Sequence, residues 1–206
     1  MSFSLAVGKS KMKKIYLLFL IIFSAFLFGA CKAKTEDVKY GFHYMSTFIA
    51  IDIKSVNTNS KERIGDELEN IFKMYHELAT NMDSLPDDTK YLENIFSINK
   101  KPLENIEINK ELYELLVDSL DYYNLTEGFF DASIGKIIDV WKDSILSEES
   151  GLLFEEIPDE VFEDIFSTVE NIEIYKNPFT LNIINNKYYV KLNYNDVKLN
   201  LGAIAK

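Results

Sequence analysis

An α+β fold, with helices flanked by antiparallel strands, is the class this sequence predicts. Three observations carry it. Apolar residues recur at helical spacing through the middle of the chain, short runs rich in Ile, Tyr and Val lie towards both ends, and turn residues separate the late runs from one another.

The first apolar run is set aside from the fold. Residues 15–30 (IYLLFLIIFSAFLFGA) carry no charge, follow Lys9, Lys11, Lys13 and Lys14, and end in the small residues Gly29 and Ala30. Basic, apolar and small segments in that order read as a signal peptide over 1–30. Cys31, the single cysteine, comes next and resembles the lipobox cysteine of bacterial lipoproteins, with Phe28 where Leu is usual. Cys31 is then the lipidation site, residues 31–43 a tether, and the rest of the chain a domain anchored by lipid on the extracytoplasmic face of the cell membrane. An uncleaved transmembrane anchor is the alternative, because about sixteen apolar residues lie at the lower limit for crossing a bilayer.

The elements follow in order. In YMSTFIAIDI (44–53), Ile49, Ile51 and Ile53 fall on one face and Phe48, Ala50 and Asp52 on the other, so the spacing predicts a strand that Asn57, Asn59 and Ser60 end. KERIGDELENIFKMYHELAT (61–80) places Ile64, Leu68, Ile71, Phe72, Tyr75 and Leu78 on one helical stripe. A polar stretch around Pro86 predicts a long loop that closes in a short ordered piece near 95–99. Asn109 is a plausible N-cap for a helix carrying Leu112, Leu115, Leu116, Leu120 and Tyr123. After Gly128 as breaker, Ile134, Ile137, Ile138 and Trp141 predict a third helical face, and PDEVFEDIFSTV (158–169) a fourth helix with Pro158 in its first turn. IEIY (172–175), TLNII (180–184), KYYVKLN (187–193) and DVKLNL (196–201) then read as strands, with Asn185-Asn186 as one of the turns between them.

Charge narrows the partners. Four of the 22 basic residues and none of the 33 acidic ones precede Cys31, which leaves 18 against 33 beyond it. So acidic a domain is predicted to have no nucleic-acid partner, because it would be repelled by phosphates. One cysteine allows no disulfide framework, and His43 and His76 have no Cys or carboxylate ligand spacing around them, so both histidines read as structural or surface residues.

Two stretches suggest chemistry. In GFFDASIG (128–135) a glycine that lets backbone approach a ligand precedes two aromatics and an Asp at a loop-to-helix junction, which would suit a phosphate or a plain capping role. In LGAIAK (201–206) small residues and a terminal lysine have a similar makeup.

Taken in order, the strand with MST, the helix leading into ELATNMD, GFFDASIGKIIDVWKD and DVKLNLGAIAK resemble the N-terminal half of the ApbE family, the FAD:protein FMN transferases, over 44–206. The resemblance implies an ApbE-like, T-fold-related domain, C-terminally truncated in this sequence. It implies an enzyme that splits FAD at its pyrophosphate, joins FMN through a phosphoester to a threonine hydroxyl of a target protein and releases AMP, with Mg2+ required. FAD is then the substrate, and exported or membrane redox subunits are the FMN acceptors. By position, Met45 matches a Met that lies against the flavin, with Ser46 where the family has Gly, and Asn81 aligns with an FAD contact. Phe129, Phe130 and Asp131 match the segment that lines the FAD site. Asn200 stands where Asp is common, Ala203 where an oxygen helps to bind Mg2+, and Lys206 at a further nucleotide contact. The family's later histidine-bearing segment, and the Asp and Thr that complete its metal site, have no counterpart here, so no catalytic residue is assigned. A sheet lacking its later strands is expected to expose an edge.

Overall fold

The computed structural model of the chain describes residues 34–146 and 159–205. Cys31, Pro158 and Lys206 lie outside the described residues, as do the expected signal peptide and lipidation site. The order of elements is β1 (Thr35–Tyr44), β2 (Thr47–Asn57), a 3-10 turn (Thr58–Ser60), α1 (Lys61–Ala79), α2 (Ile95–Asn99), β3 (Ile106–Ile108), α3 (Lys110–Leu125), α4 (Gly135–Leu146), α5 (Asp159–Glu170), β4 (Phe179–Ile184) and β5 (Lys187–Leu192). The chain divides into two compact units: the described residues up to Tyr40 with Ala50–Asp66, and Gly41–Ile49 with the described residues from Glu67 onward.

Residues of the expected tether form a strand instead. β1 pairs with β2 in a two-stranded sheet, and Met45 and Ser46, expected inside a strand, make the two-residue turn between them with φ of 53° and 54°. Two successive positive φ values give the turn the same hand as the strand twist. The predicted alternation holds along β2, where Ile49, Ile51 and Ile53 are half-buried and their neighbours exposed. It breaks at Ser55, whose φ of 57° rotates the chain by one residue and turns Val56 inward.

In the first unit, Lys54 lies between Asp37 (3.2 Å) and Asp52 (3.0 Å), and Lys61 pairs with Glu36 at 3.3 Å. These pairs are exposed and screened by solvent, so they add little to stability.

The second unit holds the main core. β5 is the central strand of an antiparallel sheet ordered β3-β5-β4, with Ile106 opposite Val190 and Leu181 opposite the same residue from the other side. β4 and β5 are joined by Asn185 and Asn186, both at positive φ, which Asn tolerates better than other residues with a side chain. α3 packs on β5, and Leu112, Leu115 and Leu116 from its inner face join Ile95, Ile98, Ile106, Ile108, Phe179, Val190, Leu192, Leu199 and Leu201 in one buried cluster. At about 2 kcal/mol for each fully buried aliphatic side chain, this cluster dominates the unit's stability.

The second unit differs from the sequence-based reading at three further places. β3 was not foreseen, because three residues are too few to show alternation; its two isoleucines are buried only through pairing with β5. IEIY is not a strand: Ile174 is 62% exposed, and the chain there is irregular. DVKLNL enters the core as expected, with Val197, Leu199 and Leu201 buried, but as an extended segment with a single parallel bridge, Lys198 to Ile134, rather than a ladder strand. Among the described residues β4 lies at an edge of this sheet and exposes Ile183 and Ile184.

Candidate functional site

The site begins where α3 ends. The N–H of Gly128 donates to the Tyr123 carbonyl (2.8 Å) and that of Glu127 to Asn124 (3.3 Å), with Glu127 at φ 54° and Gly128 at φ 89°. This pair of bonds closes a helix C-terminus by turning one residue left-handed. Thr126 fixes the exit: its hydroxyl donates to the Tyr122 carbonyl (2.7 Å) and accepts from the Phe130 N–H (2.9 Å). The turn pushes Phe129 out, 96% exposed, and keeps Phe130 half-buried with its ring 6.0 Å from that of Tyr122.

Asp131 then spends one carboxylate oxygen locally. Its Oδ1 accepts from both the N–H and the hydroxyl of Ser133, each at 2.7 Å. The plain capping role weighed from the sequence is therefore present in part, as an Asx turn leading into α4.

The two stretches singled out in the sequence lie side by side. The Asn200 N–H donates to the Ala132 carbonyl (2.8 Å) and the Gly135 N–H to the Lys198 carbonyl (2.9 Å). Approach is so close that a Cβ on Gly135 would sit 2.5 Å from the Lys198 carbonyl oxygen. Lys198 also pairs with Asp139 on α4, and Lys136 lies 3.8 Å from Asp196.

A third strip holds this pair from behind, and sequence reasoning missed it. Asn99, the last residue of α2, grips the Leu199 backbone with both ends of its amide: Oδ1 accepts from the Leu199 N–H (2.7 Å) and Nδ2 donates to its carbonyl (2.9 Å). Asn94, fully buried, opens α2 with a capping box shared with Ser97 and donates to the carbonyls of Glu77 and Asp83. The signal was present in NIFSIN, where an amide stands at each end of an apolar run.

Beyond Asn200 the chain turns. Asn200 Oδ1 accepts from the Gly202 N–H (2.9 Å), and the N–H groups of Ile204 and Ala205 both donate to the Leu201 carbonyl. Ala203 is exposed on this turn. The other predicted contacts sit elsewhere in the same unit: Met45 at the tip of the β1–β2 hairpin, and Asn81 just past α1, next to Met82, whose sulfur is 4.0 Å from the Lys142 ammonium.

Size separates the cavities. One of about 30 Å³ is lined by Asp131, Ala132, Tyr123 and Lys176, enough for a water but not for a nucleotide. A groove of about 590 Å³ lies between α1 (Phe72, Tyr75), α3 (Leu115, Asp118) and the terminal turn (Ile204, Ala205). That volume falls within the range of small-ligand sites.

A magnesium ion finds less support. Mg2+ needs about six oxygens in near-octahedral array, Ala203 can offer only its carbonyl, and among the described residues no group of three His, Cys, Asp or Glu side chains could hold a metal. The described residues do not by themselves fit the ion.

The fold is shared with solved structures. The ApbE protein of Thermotoga maritima is 19% identical, with 82% of this chain and 48% of that one covered at a TM-score of 0.54. The flavin transferase ApbE of Vibrio cholerae is 16% identical, with 84% and 50% covered at 0.53. The ApbE family model matches residues 45–206, and the chain belongs to that family. It spans about half the length of these solved relatives. No curated protein matches it significantly.

Proposed function

We propose that the chain is the flavin-nucleotide-binding part of an FAD:protein FMN transferase. Family membership supports this reading. The observation that carries it to particular residues is the pairing of Ala132 with Asn200 and Gly135 with Lys198, which sets the two motif segments against each other. In this reading Phe129, Phe130 and Asp131 lie along the flavin nucleotide with Asn200, while Met45, Asn81 and Lys206 add contacts.

The reaction is a phosphoryl transfer. An acceptor threonine Oγ forms a bond to the FMN phosphorus as the pyrophosphate P–O bond breaks, AMP leaves, and the threonine proton passes to a base. This chain's own part is to bind and orient FAD; no base is assigned among the described residues, and no step is assigned to Mg2+. The acceptors are exported or membrane redox subunits, and Cys31 carries a lipid that holds the protein at the extracytoplasmic face. Among the described residues no helix is long and apolar enough to cross a membrane. Labelled fatty acid should enter the protein in cells and be lost in Cys31→Ser; equal labelling of both would overturn the anchor.

The rival reading is a flavin-binding module without catalysis. One experiment separates the two. The chain is titrated with FAD, and AMP release and FMN–threonine are assayed with Mg2+ and a threonine-bearing acceptor. Binding with AMP and flavinylated acceptor supports the transferase, binding alone supports the module, and no FAD binding overturns both. Phe129→Ala removes a ring that is almost wholly exposed, so folding should be untouched. If the ring stacks on the flavin, FAD affinity falls about ten-fold, the loss of roughly 1.4 kcal/mol of stacking.

A further inference from the structure

Met45 and Ser46 both hold positive φ without being glycine, a conformation that a hairpin tip keeps only when its surroundings fix it. Two contacts do so. The Thr47 hydroxyl donates to the Met45 carbonyl (3.2 Å), and the Met45 N–H donates to Nδ1 of His76, 31 residues away in the last turn of α1 (3.3 Å). The imidazole lies against the Tyr44 ring, centroids 5.8 Å apart, and the Tyr44 hydroxyl donates to Glu69 Oε1 on α1 (3.2 Å). Helix and hairpin tip are thus joined side chain to backbone at the residue that the proposed function sets against the flavin.

We propose that His76 is a positioning residue: its neutral imidazole, accepting at Nδ1, holds the Met45 turn in the conformation that meets the flavin. The proposal rests on the flavin reading for what the turn touches, and on geometry alone for the latch. Acceptance at Nδ1 requires the unprotonated ring with its hydrogen on Nε2. The Tyr44 ring, itself tied to Glu69, packs against the imidazole from the hairpin side. Flavin affinity is therefore set partly by a residue that does not touch the flavin.

The test uses the full chain labelled with [15N]methionine, whose five methionines give a simple amide spectrum, with Met45→Leu to assign the Met45 signal. In the unaltered protein the Met45 amide should be protected from exchange. His76→Asn, which places an amide oxygen near the Nδ1 position, should keep that protection. His76→Ala should lose it, exchanging about five-fold faster, as expected for one net hydrogen bond. A Met45 amide indifferent to His76→Ala overturns the latch. FAD titrations of the same proteins should show weaker binding in His76→Ala and rescue in His76→Asn. Equal FAD affinity in all three, with the amide responding as described, overturns the positioning role. If no form binds FAD, the flavin reading and the positioning role both fail, while the amide measurements still decide the latch.

Discussion

Gly135 stands where two backbones nearly touch, and what it lacks matters more than what it contributes. An added methyl would lie 2.5 Å from the Lys198 carbonyl oxygen and 3.0 Å from its carbon, both rigid backbone atoms. Gly135→Ala is expected to cost about 1–3 kcal/mol and to loosen the pairing of the two motif segments, read as a lower midpoint in urea and weaker FAD binding. Glu93 supplies a different prediction. Partial burial pushes its carboxyl up, but hydrogen bonds from Lys101 (2.5 Å) and Ser97, with the Lys101 charge, outweigh this and hold it below the usual 4.5. A lowered folded value means that its stabilisation is complete well above 4.5 and is lost as pH falls through the folded value. Glu93→Gln should therefore be less stable than the unaltered protein at pH 7 by at most about 1 kcal/mol, given the exposure of Lys101. The difference should disappear as pH falls through the folded value, as urea titrations at pH 7 and in acid would show. At this scale the sequence was a partial guide. It pointed to Phe129, Asp131 and Asn200, whose segments do pair, but not to Asn94 or Asn99, because an amide that satisfies distant backbone groups leaves no periodic trace.

Elements show where periodicity suffices. α3 was legible because a full leucine stripe meets one sheet, and the β4–β5 hairpin because Asn-Asn tolerates the turn its strands require. The α4–α5 pair was legible only as two helices; their partnership was not. Trp141 of α4 meets Phe162 and Phe166 of α5 edge-on, at 6.0 and 5.9 Å with planes at 68° and 90°. Edge-to-face aromatic contacts add about 0.5–1.5 kcal/mol beyond area burial. Phe162→Ala should destabilise by about 2 kcal/mol, combining that contact with a half-buried ring. Trp141 is the chain's single tryptophan, so its emission should shift to the red as the contact opens. Unchanged emission in that variant would mean that α5 is not held through this cluster. β1 and β3 escaped the sequence for different reasons. β1 does alternate, with Val38, Tyr40, Phe42 and Tyr44 turned inward and Lys39, Gly41 and His43 outward, a pattern that the tether reading of 31–43 passes over, whereas β3 is buried but too short to display one.

For the molecule as a whole, a formal charge of −11 sets the balance. Like charges repel in the compact state, and the exposed ion pairs that salt would weaken are individually small. Stability should thus rise as ionic strength increases from about 0.01 M to about 0.15 M, where the screening length contracts from about 30 to about 8 Å. A midpoint in thermal melts that fell over this range would assign the ion pairs more than surface pairs usually supply. Composition, charge and local periodicity act between near neighbours in the chain, and these alone determined the α+β class, most helices, the late hairpin and the two motif stretches that mark the ApbE family. Tertiary structure decided what depends on contacts remote in sequence. The Asn99 amide reaches Leu199 across 100 residues, Gly135 admits Lys198, and His76 reaches back to Met45. Each is a hydrogen bond or close approach between single groups, with no repeat to announce it. GFFDASIG and LNLGAIA were visible as separate stretches; only the folded chain made them neighbours.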